Sequence, residues 1–327
     1  MIISRTPLRM SFVGGGSDLP AFYRRYGGAV VSTAINQFVY ITVNKKFDDQ
    51  IRVSYSRTEE VRSVDKIRHP LVREALKLVG IAGGIEITSI ADIPARGTGL
   101  GSSSAFTVGL LHALYAYTGR YASAEQLARQ ACEIEIERCG EPIGRQDQYA
   151  AAYGGLNFLQ FHPDDTVSVE PIICRPETLQ MLQNNLLIFY TGITRRAGGI
   201  LRQQQHAVAT QKAKQRVLRR MVELAYQLRA ELQRNNADAF GELIHENWLL
   251  KKSLAEGISN PRIDAWYEKA RRAGALGGKL LGAGWGGFLL FYARPDRHEA
   301  VTQALRELRR MHFRFEPRGS QIIFVHY

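Results

Sequence analysis

Residues 94–105 read PARGTGLGSSSA, three glycines and three serines set between an alternating apolar segment (GIEITSIADI, 84–93) and an apolar segment at helical spacing (FTVGLLHALYAY, 106–117). Glycine inside a regular element costs roughly 0.5–1 kcal/mol relative to alanine, so this much of it at a strand-to-helix junction calls for a compensating reason. Binding an anion supplies one. Free backbone N–H groups converge where a strand runs through a glycine-rich turn into a helix N-terminus, and the helix dipole favours negative charge there. Gly97, Gly99, Leu100 and Gly101 bring the backbone within reach of phosphate oxygens, while Ser102, Ser103 and Ser104 add hydroxyl donors and an oxygen ligand for a metal. The run has neither the GK[ST] of a Walker loop nor the G-x-G-x-x-G spacing of a dinucleotide fold. A tight turn with a serine cap is the plain structural alternative.

Composition narrows the classes. At 327 residues, with 45% hydrophobic and 23% charged side chains, the chain can bury a core divided between two domains. No apolar run approaches the roughly 18 residues of a membrane span, and MIISRTPLRM lacks the apolar stretch of a secretory signal, so the expectation is a soluble, cytoplasmic protein that engages no membrane. Cys132, Cys139 and Cys174 form no CxxC pair and read as small buried hydrophobes in a reducing compartment. The net charge of +12 points to anionic partners, but much of it sits in helical-looking segments (211–234 and 304–318) read as solvated faces. With no basic run interleaved with stacking aromatics, a nucleic-acid partner is not expected. The sequence leaves a homodimer open.

The first 90 residues read mainly as strands and turns, followed by helices at 105–117 and 123–138, the latter capped by Ser123 with Gln126 three residues on. After a short helix and a strand the pattern restarts near residues 175–182. It continues as strand NLLIFYTG, helices at 197–233, 237–254 and 261–273, a second glycine-rich run GALGGKLLGAGWGG, strand FLLFYA, a helix at 296–311 and strand QIIFVHY. The class is α+β, with domains at 1–178 and 179–327.

Three segments in order along the chain carry a resemblance. PARGTGLGSSSA is similar to the second motif of the GHMP kinases, RTPLRMSFVGGGSDLPAF (5–22) to the first, and KLLGAGWGGFLLF (279–291) to the third. The resemblance implies a two-domain GHMP kinase fold, its N-terminal part like ribosomal protein S5 domain 2 and its C-terminal part ferredoxin-like. The active site would lie between them, with ATP and Mg2+ as cofactors and a small-molecule sugar phosphate as acceptor.

It also implies roles. Asp147, in GRQDQY after the Gly140-Glu141-Pro142-Ile143-Gly144 loop, matches the family's catalytic aspartate, and RQDQ resembles the heptose-kinase and fucokinase branches. Arg9 would orient Asp147 and stabilise charge on the transferring group. For Mg2+ the family pairs a motif-two serine with a glutamate on the next helix, which favours Ser103 and Glu135, with Glu133 and Glu137 competing from other helix faces. Asp18 stands where the sugar kinases carry a substrate-binding aspartate. Gly15, Gly16 and Ser17 precede it where galactokinases have bulkier residues, leaving room for a larger acceptor. A phosphorylated acceptor needs basic residues at its far end. Arg24, Arg25, Arg195, Arg196, Lys251, Lys252 and Lys279 are candidates, Arg195 and Lys279 preferred, with Gly284 beside them in motif three. Trp285 stands where glycine is usual, and either narrows the pocket or turns outward. A free-sugar 1-kinase and a catalytically silent sugar-and-ATP sensor are the alternatives.

Overall fold

A computed structural model describes residues 1–93, 97–193 and 198–326. The strands are β1 (Ile2–Val13), β2 (Gly28–Lys45), β3 (Ile51–Ser54), β4 (Thr58–Val61), β5 (Ile85–Ala91), β6 (Leu156–Phe161), β7 (Val167–Pro171), β8 (Leu186–Tyr190), β9 (Gly277–Leu280), β10 (Phe288–Tyr292), β11 (Arg309–Met311) and β12 (Gln321–Val325). They form an eight-stranded sheet, β12-β1-β2-β5-β3-β4 with β6 and β7 branching from β2, and a four-stranded sheet, β11-β8-β10-β9. The helices are α1 (Pro20–Tyr26), α2 (Pro70–Val79), α3 (Ser102–Tyr117), α4 (Ala124–Cys132), α5 (Gln146–Tyr153), α6 (Pro176–Asn184), α7 (Gly198–Thr210), α8 (Lys212–Gln233), α9 (Phe240–Lys252), α10 (Pro261–Arg272) and α11 (His298–Ala304). Among the described residues no helix is long and apolar enough to cross a membrane.

The mixture of helix and sheet is the expected α+β class. The long strand β1 organises it. Its residues 6–13 are all buried, because α3 and α5 cover one face and α8 and α9 the other. Phe12 packs edge-on against Phe240 of α9 (5.0 Å between ring centres), and Phe240 against Tyr292 of β10, so one apolar core runs from the large sheet into the small one. A second core gathers Trp248, Tyr267 and Phe291 beneath the small sheet. Helix α3 is buried on nearly every side, and Ser4 Oγ donates to its Gly109 carbonyl at 2.7 Å, a close approach of helix to strand.

Four expectations need correction. The helix expected at 296–311 ends with α11 at Ala304, and residues 309–311 are strand, because the outer edge of β8 would otherwise leave its backbone groups unpaired. The final strand does not stay with the C-terminal block: β12 pairs antiparallel with β1, Ile2 opposite Val325, closing the large sheet's edge. The single helix expected at 197–233 is two, since Gln211 between α7 and α8 has extended dihedrals (φ −114°, ψ 110°). Helix 123–138 holds its α form only through Cys132, and Glu133–Arg138 make a π turn. The Ser123 cap is in place, its Oγ accepting from Gln126 N–H at 3.2 Å. Helices α1, α2 and α6, each opened by a proline at its start, lie in stretches whose strand-rich or boundary reading concealed them.

Candidate active site

A cleft of about 1290 Å3 opens along the C-terminal part of β1 and is bounded by the 97–104 loop, α5, α7, Lys251 and the 279–283 turn. Its floor is set by backbone geometry. Gly97, Gly99 and Gly101 have φ of 71°, 77° and 75°, left-handed conformations that admit glycine with little cost. A Cβ on Gly99 would lie 2.3 Å from the Leu281 carbonyl oxygen, so the loop and the small sheet's turn touch through bare backbone. The three serines belong to the first turn of α3 and line the cleft with the glycines. Leu100 is buried in the core, and its carbonyl accepts from Arg9 N–H at 3.0 Å. It anchors the loop without facing the cleft.

Arg9 and Asp147 meet as expected. Arg9 Nε donates to Asp147 Oδ1 at 2.8 Å and Nη2 to Oδ2 at 2.7 Å, a two-pronged pair, while Nη1 donates to the Gly99 carbonyl at 2.6 Å. One guanidinium thus ties the aspartate to the phosphate loop, a task for a planar, permanently charged donor. The arginine side chain is 6% exposed and the carboxylate 24%, so the pair opens on the cleft from the aspartate side.

Asp18 is buried beside them. Its Oδ1 accepts from Gly16 N–H (2.9 Å) and Gln146 Nε2 (3.0 Å), and its Oδ2 from Gln146 N–H (3.2 Å). Burial raises its pKa, Asp147 adds to the rise, and the backbone N–H bonds oppose it. A Cβ on Gly144 would fall 1.9 Å from Asp18 Oδ2, so the glycine ending the GEPIG loop exists to admit this carboxyl. Gln146 links the two aspartates: it neighbours Asp147 in sequence, donates to Asp18, and accepts from Ser11 Oγ. Sequence reading passed it over, although its place inside RQDQ was a signal.

Glu135 is the glutamate of the three that faces inward. Fully buried, it accepts from Ser103 Oγ at 2.8 Å and Gln148 Nε2 at 2.7 Å. Glu133 instead pairs with Arg138 at 2.6 Å and Glu137 lies at the surface. The π turn makes this selection by shifting the helical register by a residue. Burial pushes the Glu135 pKa up to about 7 against the pull of its hydrogen bonds. A hydroxyl and a carboxylate side by side behind the glycine-rich loop are a hard-oxygen donor set of the kind that suits Mg2+. Among the described residues no group of three or more His, Cys, Asp and Glu could hold a metal unaided.

The remaining substrate candidates divide. Gly15 and Gly16 line the cleft. Ser17 is turned away and fully buried, its Oγ exchanging hydrogen bonds with Ala29 N–H and carbonyl, both at 3.1 Å. Lys279 borders the cleft, but its Nζ donates to the carbonyls of Ser11 (2.7 Å) and Phe12 (3.0 Å), tying β9 to β1. Burial pushes its pKa well down, and the nearby Lys251 and Arg9 add to the fall. Gly284 packs against the Ile258 backbone outside the cleft lining, and Trp285 next to it turns away, its ring over Gly257. Arg195 and Arg196 lie outside the described residues. Arg24 is spent on Asp165 and Lys252 on Asp264. Lys251 is different. It is 6% exposed, lines the cleft, and has no hydrogen bond or ion pair among the described residues. Burial lowers its pKa to about 8, partly offset by Asp18.

Another stretch of the cleft is apolar, lined by Val39, Leu71, Ile90 and Phe106, with His69 between Phe106 (5.1 Å between ring centres, tilted) and Tyr55 (4.7 Å, edge-on). Such a cleft suits transfer of a phosphoryl group from a nucleotide to a hydroxyl, which places the molecule among the phosphotransferases. Similarity narrows the class. The GHMP kinases N terminal domain model matches residues 67–155 and the GHMP kinases C terminal model residues 228–311. A D-glycero-alpha-D-manno-heptose 7-phosphate kinase of Campylobacter jejuni is 28% identical over 94% of this chain and 93% of its own. A bifunctional fucokinase/GDP-fucose pyrophosphorylase of Arabidopsis thaliana is 28% identical over 92% of this chain and 31% of its own. The crystal structure of a D-glycero-D-manno-heptose 1-phosphate kinase from Bacteroides thetaiotaomicron superposes with a TM-score of 0.82 at 25% identity, covering 100% of both chains. The chain belongs to the GHMP kinases, and is an ATP-dependent kinase.

Proposed function

We propose that the enzyme transfers the γ-phosphoryl group of ATP to the anomeric hydroxyl of D-glycero-α-D-manno-heptose 7-phosphate, giving the 1,7-bisphosphate used for GDP-heptose synthesis. The observation that carries this reading is the Arg9–Asp147 pair, held between the Gly99 carbonyl and the Asp18–Gln146 network. It is supported by the likeness to a heptose 7-phosphate kinase over nearly the whole of both chains.

The nucleotide lies with its base against Tyr55, His69 and Phe106 and its phosphates over residues 97–104. Asp18 and the small residues Gly15 and Gly16 receive the sugar. Asp147 accepts the proton of the anomeric hydroxyl as that oxygen bonds to phosphorus and the bond to the β-phosphate oxygen breaks, releasing ADP. Both Asp147 oxygens keep a lone pair beyond their bonds to Arg9, and the guanidinium fixes which one the hydroxyl meets. Arg9, bridging loop and base, also opposes the negative charge that gathers between them. Ser103 and Glu135 would hold Mg2+, which neutralises charge across the β- and γ-phosphates when bound. The 179–327 half contributes the α7 and Lys251 wall, and with 1–178 forms the two functional domains.

A free-sugar 1-kinase is the second reading, supported by the likeness to a fucokinase-containing protein. The test is ADP release with ATP and Mg2+ over heptose 7-phosphate, the unphosphorylated heptose, mannose 6-phosphate, fucose, galactose and mevalonate. Turnover with heptose 7-phosphate above all others is the expected result. A free sugar used at equal or higher kcat/KM would transfer the enzyme to the second reading, and nucleotide binding without turnover to the sensor.

A further inference from the structure

Contacts give the cleft an order. Arg9 touches both the phosphate loop and Asp147, Gln146 next to Asp147 touches Asp18, and Asp18 takes the N–H of Gly16. Beyond Asp18 the wall changes. A Cβ built on Gly16 would meet Gln204 Nε2 at 2.4 Å, and one built on Gly15 would lie 3.7 Å from Lys251 Nζ. Gln204 is 1% exposed and its Nε2 is a buried donor with no acceptor among the described residues. Lys251 is 6% exposed, likewise without a partner among the described residues. Gly198, Gly199 and Arg202 of α7 also line the cleft, the Arg202 Nη1 3.6 Å from where a Gly198 Cβ would stand.

Buried donors are ordinarily paired, and an ammonium without a partner is costlier still. Two such groups on one wall, beside the neighbouring glycines Gly15 and Gly16, call for an anion to complete them. They lie on the wall beside Gly15 and Gly16, next to Asp18. We propose that Lys251 and Gln204 form a subsite for a phosphate monoester borne by the acceptor at the end remote from its reacting hydroxyl. This rests on the reading above that the acceptor is a sugar phosphate. Lys279, preferred from sequence for this role, is engaged elsewhere. Lys251 is therefore a specificity-determining residue: its ammonium selects phosphorylated acceptors.

The experiment measures kcat/KM for matched acceptor pairs, heptose 7-phosphate against heptose and mannose 6-phosphate against mannose, in wild type, Lys251→Met and Lys251→Arg, with folding of each variant checked by thermal melting. Loss of a charge-assisted hydrogen bond network corresponds to about 10- to 100-fold. The preference for the phosphorylated member is expected to fall by that factor in Lys251→Met, chiefly through KM, and by less in Lys251→Arg. An unchanged preference in Lys251→Met, or none in wild type, overturns the subsite. If mannose 6-phosphate is used, heptose 7-phosphate is not, and Lys251→Met removes the preference, the subsite stands while the heptose assignment falls. If no acceptor turns over, that assignment falls too, and the subsite is judged by calorimetric titration of inorganic phosphate into protein saturated with a non-hydrolysable ATP analogue and Mg2+. Weaker binding in Lys251→Met then supports it, and equal or absent binding overturns it.

Discussion

The two walls of the cleft are finished to different degrees. On the β1 and phosphate-loop side, Arg9, Asp147, Asp18 and Glu135 all hold partners at 2.6–3.2 Å before any substrate arrives. On the α7 and α9 side, among the described residues, Gln204 Nε2 is buried without an acceptor and Lys251 without a counter-charge in contact. The first wall is preorganised for chemistry, where reorganisation during transfer would raise the barrier. The second keeps its donors for a ligand, since groups already satisfied within the protein gain little from binding one.

Mutations at the two walls should therefore fail in different ways. The largest effect is expected from Asp147→Asn, which keeps shape but removes the proton acceptor: kcat should drop about 10²- to 10⁴-fold, with ATP affinity by fluorescence titration nearly unchanged. Loss of nucleotide binding instead would mean that the first wall is a structural unit and not a catalytic one. Next comes Arg9→Lys, which retains charge but not the fork joining Gly99, Oδ1 and Oδ2. A fall in kcat of about 10- to 100-fold is expected, the cost of one or two charge-assisted bonds, read in the same ADP assay.

The two buried lysines sharpen the contrast. Lys279→Met should lower stability by about 1–3 kcal/mol in urea unfolding, because the Ser11 and Phe12 carbonyls lose their donor. Lys251→Met should not lower it at pH 7. Lys251 has a folded pKa of about 8, below the ordinary 10.5, so the unfolded chain binds more protons between those values. Its burial is thus a destabilising contribution, fully present below pH 8 and relieved as pH rises towards 10.5. Wild type should gain on Lys251→Met across that window, and a gap that stays constant would show that Lys251 has a counter-charge after all. The smallest effect is expected from Ser123→Ala at the α4 cap, remote from both walls: about 1 kcal/mol of stability, with kcat unchanged.

Much of this was legible in local patterns. The glycines of 97–101 announce a backbone turn because few other residues take positive φ cheaply, and the Ser123 cap shows because its partner is three residues away. Other features depend on partners far along the chain. Helical spacing alone does not tell Glu135 from Glu133 and Glu137; the resemblance favoured it, and the π turn and Gln148 fix it as the inward face. Residues 309–311 have helical neighbours and become strand because β8 offers an unpaired edge. The sequence by itself determined the α+β class and the glycine-rich turn, which follow from residue type and short spacing, whereas Arg9 and Asp147, 138 residues apart, were paired only by the resemblance. Only the tertiary structure decided that Lys279 ties two sheets together while Lys251 faces the cleft. The two side chains are chemically identical, and what separates them is which backbone carbonyls lie within reach of each ammonium.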